Sequence, residues 1–102
     1  MEVVFFNSQI KDFLKSLEKS SRSKSSKYID LLKIFGNELG MPYSKRISRN
    51  LYELRIRGQQ EVRIFYCFHQ NNAIVVHAFI KKSQKTPQKE IQIALSRIAL
   101  LT

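Results

Sequence analysis

The sequence predicts an α+β fold in which an N-terminal strand and a helical hairpin pack on a small twisted antiparallel sheet, followed by a C-terminal helix. The spacing of apolar residues carries this prediction. It is helical up to about residue 39, alternates between 51 and 80, and becomes helical again after residue 87. The expected order is strand, helix, helix, three antiparallel strands and helix. A chain of 102 residues fits one core, so we expect a single domain, 1–102.

The N-terminal segment predicts a strand and a first helix. Residues 3–6 have the sequence VVFF, which is typical of a short buried strand, and Asn7 or Ser8 can cap the helix that follows. A serine- and lysine-rich stretch, residues 19–27, then interrupts the helical pattern. The apolar stripe of this first helix consists of Ile10, Phe13, Leu14 and Leu17.

A second helix is expected after this interruption, and it completes the helical hairpin. Gly40 is placed to end the helix, and Pro42 supports the same end point because proline cannot continue it. The apolar face of the second helix is expected to contain Tyr28, Leu31, Leu32, Phe35 and Leu39.

Three strands are expected next, because apolar and polar residues alternate. Tyr52, Leu54 and Ile56 alternate with charged residues in the first of them. Gly58 and two glutamines provide the turn that follows, and the polar residues 69–72 provide the next one. The three predicted strands span residues 51–57, 61–69 and 73–80.

The same alternation places arginines on one face of the predicted sheet. Arg55 and Arg57 point away from the face that packs on the helices, and Arg63 is expected beside them across the strand pair. Arg57 lies near a turn, where a surface arginine is ordinary. Arg63 instead interrupts an apolar strand, which is unusual for a surface arginine. These arginines therefore indicate an anion-binding surface.

The segment FIKKSQKTPQKE, residues 79–90, joins the last strand to the last helix. Thr86 can cap that helix, and Pro87 suits its first position. Four lysines lie where a sheet edge meets this helix N-terminus, so a polyanion would meet ammonium groups and backbone N–H groups together. The lysines are Lys81, Lys82, Lys85 and Lys89. The apolar stripe of the helix consists of Ile91, Ala94, Leu95 and Ile98.

The charge of the chain is positive and uneven. Residues 1–44 carry seven Lys and Arg against five Asp and Glu, a net of +2, and residues 45–102 carry eleven against three, a net of +8. Nucleic acid or an acidic protein is the expected partner. The lone Cys67 excludes an intrachain disulfide framework and a cysteine zinc site. With no signal-peptide pattern and no long apolar run, we expect a soluble cytoplasmic protein without membrane contact.

Two motifs together resemble a known family. The sequence LYELRIR, a turn and VRIFY, followed by a strand that ends in HAFIKKSQKTP, is similar to the RelE/ParE superfamily of bacterial toxins, specifically its HigB-like, phage-derived branch. The resemblance covers essentially the whole chain. It implies a RelE-like fold and an endoribonuclease that cuts mRNA on the ribosome with no metal or other cofactor. It also implies a partner, a HigA-like helix-turn-helix antitoxin encoded beside it.

The resemblance also implies residue roles. Arg63, the arginine of VRIFY, matches the phosphate-binding arginine of the cleaving toxins, and Lys81 or Lys82 matches the basic position at the end of the last strand. Cleavage of RNA at a 2′-OH needs a base, cations that stabilise the pentavalent phosphorane, and an acid for the departing 5′-oxygen. We therefore expect these three cations at the scissile phosphate. The expected RNA-binding residues are Arg55, Arg57, Lys85 and Lys89.

The acid and the base stay open at this stage. Histidine is the residue type whose unperturbed pKa suits this role, so His77 is the catalytic candidate, with a structural histidine on a half-buried strand as an equal alternative. Tyr66 is expected in the core, on the face opposite Arg63, unless a bulge reverses it. The tyrosine-containing tail of several cleaving toxins is absent. The carboxylates of this half are spaced as isolated groups: Glu53, Glu61 and Glu90.

The expected function is thus the toxin of a type II toxin–antitoxin system that inhibits translation by cutting mRNA. Two alternatives remain open. The ParE branch shares the fold but poisons DNA gyrase. The second alternative is a non-catalytic relic that only binds nucleic acid or its antitoxin. Phosphate binding needs positive charge but no general acid.

Overall fold

The computed structural model describes residues 1–101, in which three α-helices pack against one five-stranded sheet. The predicted α+β class is confirmed. A short 3₁₀ turn, Gly36–Glu38, follows the second helix. The helices are α1 (Ser8–Lys15), α2 (Lys19–Phe35) and α3 (Gln88–Ala99). The strands are β1 (Glu2–Phe5), β2 (Ser44–Ser48), β3 (Leu51–Ile56), β4 (Val62–His69) and β5 (Asn72–Ile80).

The sheet is mixed, whereas the sequence predicts an antiparallel one. Its order is β1-β5-β4-β3-β2, with β1 parallel to β5 and every other pair antiparallel. β2 has no counterpart among the predicted strands, because its sequence SKRIS contains one apolar residue and no clear alternation. Basic and polar residues suit an edge strand, since they discourage pairing with a further chain. Backbone pairing with β3, rather than side-chain pattern, creates this strand.

Each face of the sheet carries its own core. One face packs against α1 and α2 and buries Leu54, Ile64, Tyr66 and Val75. The opposite face packs against α3 and buries Phe65, Cys67, Val76 and Ala94. Helices therefore cover part of both faces, although the sequence predicts one packed face. No helix within residues 1–101 has the length and apolar character that crossing a bilayer requires.

The predicted break at residues 19–27 is wrong, because these residues form the first half of α2. Glu18 caps this helix, and its carboxylate accepts hydrogen bonds from the Ser21 backbone N–H at 2.6 Å and from two serine hydroxyls. Hydrogen bonds from the Ser20 and Ser21 side chains lower the pKa of Glu18 to about 2. Ser21 and Ser25 are buried and share one helix stripe with Leu32. Small serines occupy the places where larger apolar residues are expected.

The second helix also ends earlier than predicted. α2 stops at Phe35, and Gly36 adopts a φ of 56°, the left-handed conformation that glycine tolerates best. The predicted stop at Gly40 is therefore four residues late. Phe35 is half exposed rather than part of the apolar face, because the chain leaves the sheet at this turn.

Residues at the start of α3 differ by one position from the prediction. Thr86 does not cap the helix: the N-cap residue is Pro87, which has extended backbone, and no side chain bonds the free N–H groups there. The Pro87 carbonyl accepts the first helical hydrogen bonds, from Glu90 and Ile91. Leu95 is 38% exposed, so the stripe that packs on the sheet omits it.

A bulge in β5 decides which face several side chains occupy. Phe65 pairs with His77, but Tyr66 pairs with Val75, so Val76 has no partner on β4. The irregularity lies in β5, and β4 itself keeps a regular alternation. Tyr66 is therefore buried on the α1 and α2 side, as predicted, and Arg63 lies on the opposite face.

Candidate functional site

Cationic side chains converge around one pocket of about 570 Å³ on the sheet face opposite α1 and α2. Among residues 1–101, five Lys and Arg residues and one carboxylate line it. Ser83 and Gln84 complete the lining. The five cations are those that the sequence singles out: Arg55, Arg57, Arg63, Lys81 and Lys82. We call this the cationic pocket.

The pairing of three strands brings these residues together. Arg55 on β3 is the direct partner of Arg63 on β4, which in turn pairs with Phe79 near the end of β5. Beyond β5, the Lys81 backbone N–H donates a hydrogen bond of 2.6 Å to the Glu61 carbonyl. The segment that carries the two lysines is thereby tied to the start of β4. The strand register therefore sets the positions of Arg55 and Arg63, and the Lys81 hydrogen bond sets the position of the lysine segment.

Arg63 forms the floor of the cationic pocket and is only 2% exposed. Its Nη1 donates to the Val62 carbonyl at 3.0 Å and to the Ile56 carbonyl at 3.5 Å. Its Nη2 donates to the Glu61 carboxylate at 3.2 Å, and its Nε lacks a hydrogen-bond partner within the described chain. The guanidinium is fixed by its surroundings, so its charge is presented to the pocket in one orientation.

Glu53 supplies the buried counter-charge of this site. It is 3% exposed, and its carboxylate lies 3.5 Å from Arg55 Nε and 3.8 Å from Arg63 Nε. The spacing of the sequence alone suggests an isolated carboxylate here. The strand alternation, which places Glu53 on the same face as Arg55, is the pattern from which this contact could have been predicted.

Glu61 is the carboxylate that lines the pocket. Its side chain is 39% exposed, and one oxygen accepts from Arg63 while the other accepts from the Gly58 backbone N–H at 3.2 Å. Burial acts to raise the pKa of Glu61, but the Gly58 hydrogen bond and the Arg63 guanidinium outweigh it and lower the pKa. Glu61 is therefore an ionised acceptor inside a positively charged pocket. Alternation along the predicted strand 61–69 places Glu61 on the same face as Arg63, two residues away, so this contact could also have been predicted.

Other candidate residues lie outside the cationic pocket. His77 Nε2 is 2.6 Å from the Glu90 carboxylate on α3, and the imidazole stacks on Phe79. His77 thus joins β5 to α3. Lys85 and Lys89 are exposed and do not belong to the pocket lining. The structure therefore groups five of the predicted site residues and separates three.

The described part of the chain offers no ready metal site. Within residues 1–101, no three His, Cys, Asp or Glu side chains are grouped so that they could hold a metal ion. Cys67 is buried in the α3-side core, and this burial raises its pKa to about 11. That thiol is neutral at physiological pH and is not a nucleophile in the pocket.

Comparison with family models matches residues 12–99 to the family described as Phage derived protein Gp49-like (DUF891). The matched range contains α2, all strands of the cationic pocket and α3. No curated protein matches the sequence.

Proposed function

Because the chain belongs to the phage derived Gp49-like family, we propose that it is the toxin of a type II toxin–antitoxin system and an endoribonuclease that cuts mRNA. The family comprises RelE-like proteins assigned to toxin–antitoxin systems, so an antitoxin partner is implied. One observation carries the enzymatic part. Five cations surround a pocket that is open enough for a phosphate group. Inhibition of translation is the proposed outcome.

The cationic pocket suits the charge that develops during RNA cleavage. A pentavalent phosphorane carries more negative charge than the phosphodiester, and cations held in place stabilise it without rearranging. Arg63, Lys81 and Lys82 are the proposed phosphate contacts, with Arg55 and Arg57 in support. In this proposal, protein side chains supply the positive charge. His77 is not part of it, because Glu90 engages its Nε2.

The finer features are proposals that rest on the resemblance of the sequence. We place the protein in the HigB-like branch, acting on mRNA bound to the ribosome in the cytoplasm. Its antitoxin is proposed to be a HigA-like helix-turn-helix protein. An acidic segment of that partner would complement the net charge of +10, and electrostatic attraction would speed their association.

A non-catalytic binding module is the second candidate, and the burial of Arg63 favours it. A guanidinium that is 2% exposed and already bonded to Glu61 meets a phosphate only through a limited part of its surface. In that case, the cations of the pocket would bind RNA or the antitoxin without catalysing cleavage. The two candidates differ in whether bound RNA is cut.

Inducible expression in bacteria followed by mapping of RNA 5′ ends tests the proposal. We expect growth arrest together with new 5′ ends inside coding regions, because cleavage occurs in translated mRNA. DNA supercoiling is measured in the same cultures. Arrest with intact mRNA and altered supercoiling would establish the ParE-like activity instead. Unimpaired growth at confirmed expression of the free protein would favour the binding module.

A further inference from the structure

The proposed reaction needs a base for the 2′-OH, and the residues that the sequence suggests do not reach the pocket. Tyr66 is buried on the opposite sheet face, where its hydroxyl is 2.5 Å from Ser44 Oγ. Burial raises the pKa of Tyr66, which makes its phenolate still less available. His77 is engaged by Glu90. The base must therefore be sought among the residues that line the cationic pocket.

We propose that Glu61 is the general base of this site, an inference that rests on the proposed RNA cleavage. Among residues 1–101 it is the carboxylate that lines the pocket, and its partly exposed side chain can meet a substrate. Glu61 Oε1 is 3.2 Å from Arg63 Nη2, so a phosphate held by the neighbouring cations lies next to the carboxylate. Each oxygen accepts one hydrogen bond and retains a free lone pair.

The position of Glu61 is fixed from two sides. Its backbone carbonyl accepts from Lys81, whose ammonium lines the same pocket, and its carboxylate accepts from the Gly58 N–H. The base is thereby held at a constant distance from the lysine segment. Glu53 cannot take this role, because it is 3% exposed and lies between two arginines.

The step is a transesterification within the RNA chain. Glu61 accepts the proton of the 2′-OH while the 2′-oxygen forms a bond to the adjacent phosphorus. The bond from phosphorus to the 5′-oxygen breaks, and its electron pair stays on that oxygen, which takes a proton from the ammonium of Lys81 or Lys82. The products are a 2′,3′-cyclic phosphate and a 5′-OH end.

The charge around Glu61 defines the expected pH dependence. The carboxylate is faced by Arg55 on β3, Arg57 in the following turn, Arg63 on β4, and Lys81 and Lys82 after β5. The Gly58 hydrogen bond and the Arg63 charge lower its pKa despite burial, so the base is fully ionised at neutral pH. On the acidic side, the cleavage rate should therefore fall only below about pH 4, the usual range of a carboxylate pKa.

Single-turnover cleavage of a 5′-labelled mRNA in programmed bacterial ribosomes, with protein in excess, tests the inference. Glu61→Gln keeps the shape of the side chain but removes the base, so we expect cleavage of the saturated complex to fall about 10²- to 10⁴-fold. Binding should be retained or strengthened, because one negative charge leaves the pocket. Glu38→Gln, at an exposed position of the 3₁₀ turn, is the matched control and should cleave like the unchanged protein.

Two further arms separate the possible outcomes. Glu61→Asp retains a carboxylate and should cleave faster than Glu61→Gln. The acidic limb of its pH profile should also be displaced, which a folding defect would not produce. If Glu61→Gln cleaves at a rate within about threefold of the unchanged protein, the role of Glu61 as the base is overturned, but the proposed function is not. Lack of cleavage by the unchanged protein would overturn the proposed function, and this inference with it.

Discussion

At the scale of single residues, two carboxylates partly neutralise the buried Arg63: Glu53 lies 3.8 Å from its Nε, and Glu61 lies 3.2 Å from its Nη2. Arg55, Arg63 and the lysines at 81 and 82 follow from alternation and from motif resemblance, because both depend on positions along the chain. The roles of Glu53 and Glu61 depend on which atoms face Arg63 across strands and turns. Strand alternation places each carboxylate on the face of an arginine two residues away, but it does not give the distances between their atoms. The same limit applies to His77, because the sequence does not show that α3 places the Glu90 carboxylate against its Nε2.

The buried charges lead to a prediction about stability. Glu53→Gln should lower the free energy of unfolding by about 2–3 kcal/mol, because Arg63 and Arg55 lose a buried counter-charge. Breaking a buried pair ordinarily costs about 3–5 kcal/mol, and Glu61 still pairs with Arg63 here, which reduces the cost. Urea unfolding measures the change. The exposed control, Glu38→Gln, should stay within about 0.5 kcal/mol. A cost below about 1 kcal/mol for Glu53→Gln would show that this pair does not stabilise the fold.

At the scale of elements, α2 shows where local pattern fails. Its first half is rich in serine and lysine, which predicts a break in the helix, yet the capping carboxylate of Glu18 and the packing of its buried serines make it helical. Tertiary packing supplies most of the stability of such helices. The sequence prediction misses β2 for a related reason. This edge strand forms by backbone pairing with β3, and its own sequence has no clear alternation. Elements with strong periodicity, β3, β4 and β5, agree with the prediction within one or two residues.

The serine stripe of α2 permits a matched pair of substitutions. Ser25 is buried and its hydroxyl has no partner within the described chain, whereas Ser26 is exposed on the same helix. Ser25→Ala should therefore stabilise the protein by about 1–2 kcal/mol, since it removes an unsatisfied buried hydroxyl and improves helix propensity. Ser26→Ala should gain only about 0.5 kcal/mol, from propensity alone. Thermal unfolding compares them. Equal effects would mean that the Ser25 hydroxyl is satisfied in solution.

At the scale of the whole molecule, the fold concentrates the charge of its second half into one pocket. The net of +8 in residues 45–102 is visible in the sequence, but its division between the cationic pocket and the exposed lysines is visible only in the structure. Each phosphate of single-stranded RNA that the protein neutralises would add about −0.7 to the slope of log affinity against log salt. Lys85 lies outside the pocket, so its charge should contribute to binding and not to chemistry.

Lys82 and Lys85 form a matched pair for the central claim that the cationic pocket cuts RNA. Both are exposed lysines of the segment between β5 and α3, and alanine removes one positive charge from either. The decisive measurement is the single-turnover cleavage rate of saturated complexes of mRNA and ribosomes, with a salt titration of binding alongside it. We predict that Lys85→Ala flattens the salt slope by about one contact and leaves the rate nearly unchanged, whereas Lys82→Ala lowers the rate at least about tenfold. Equal losses of rate in the two variants, or equal loss of binding with no loss of rate, would contradict the assignment of cleavage to this pocket.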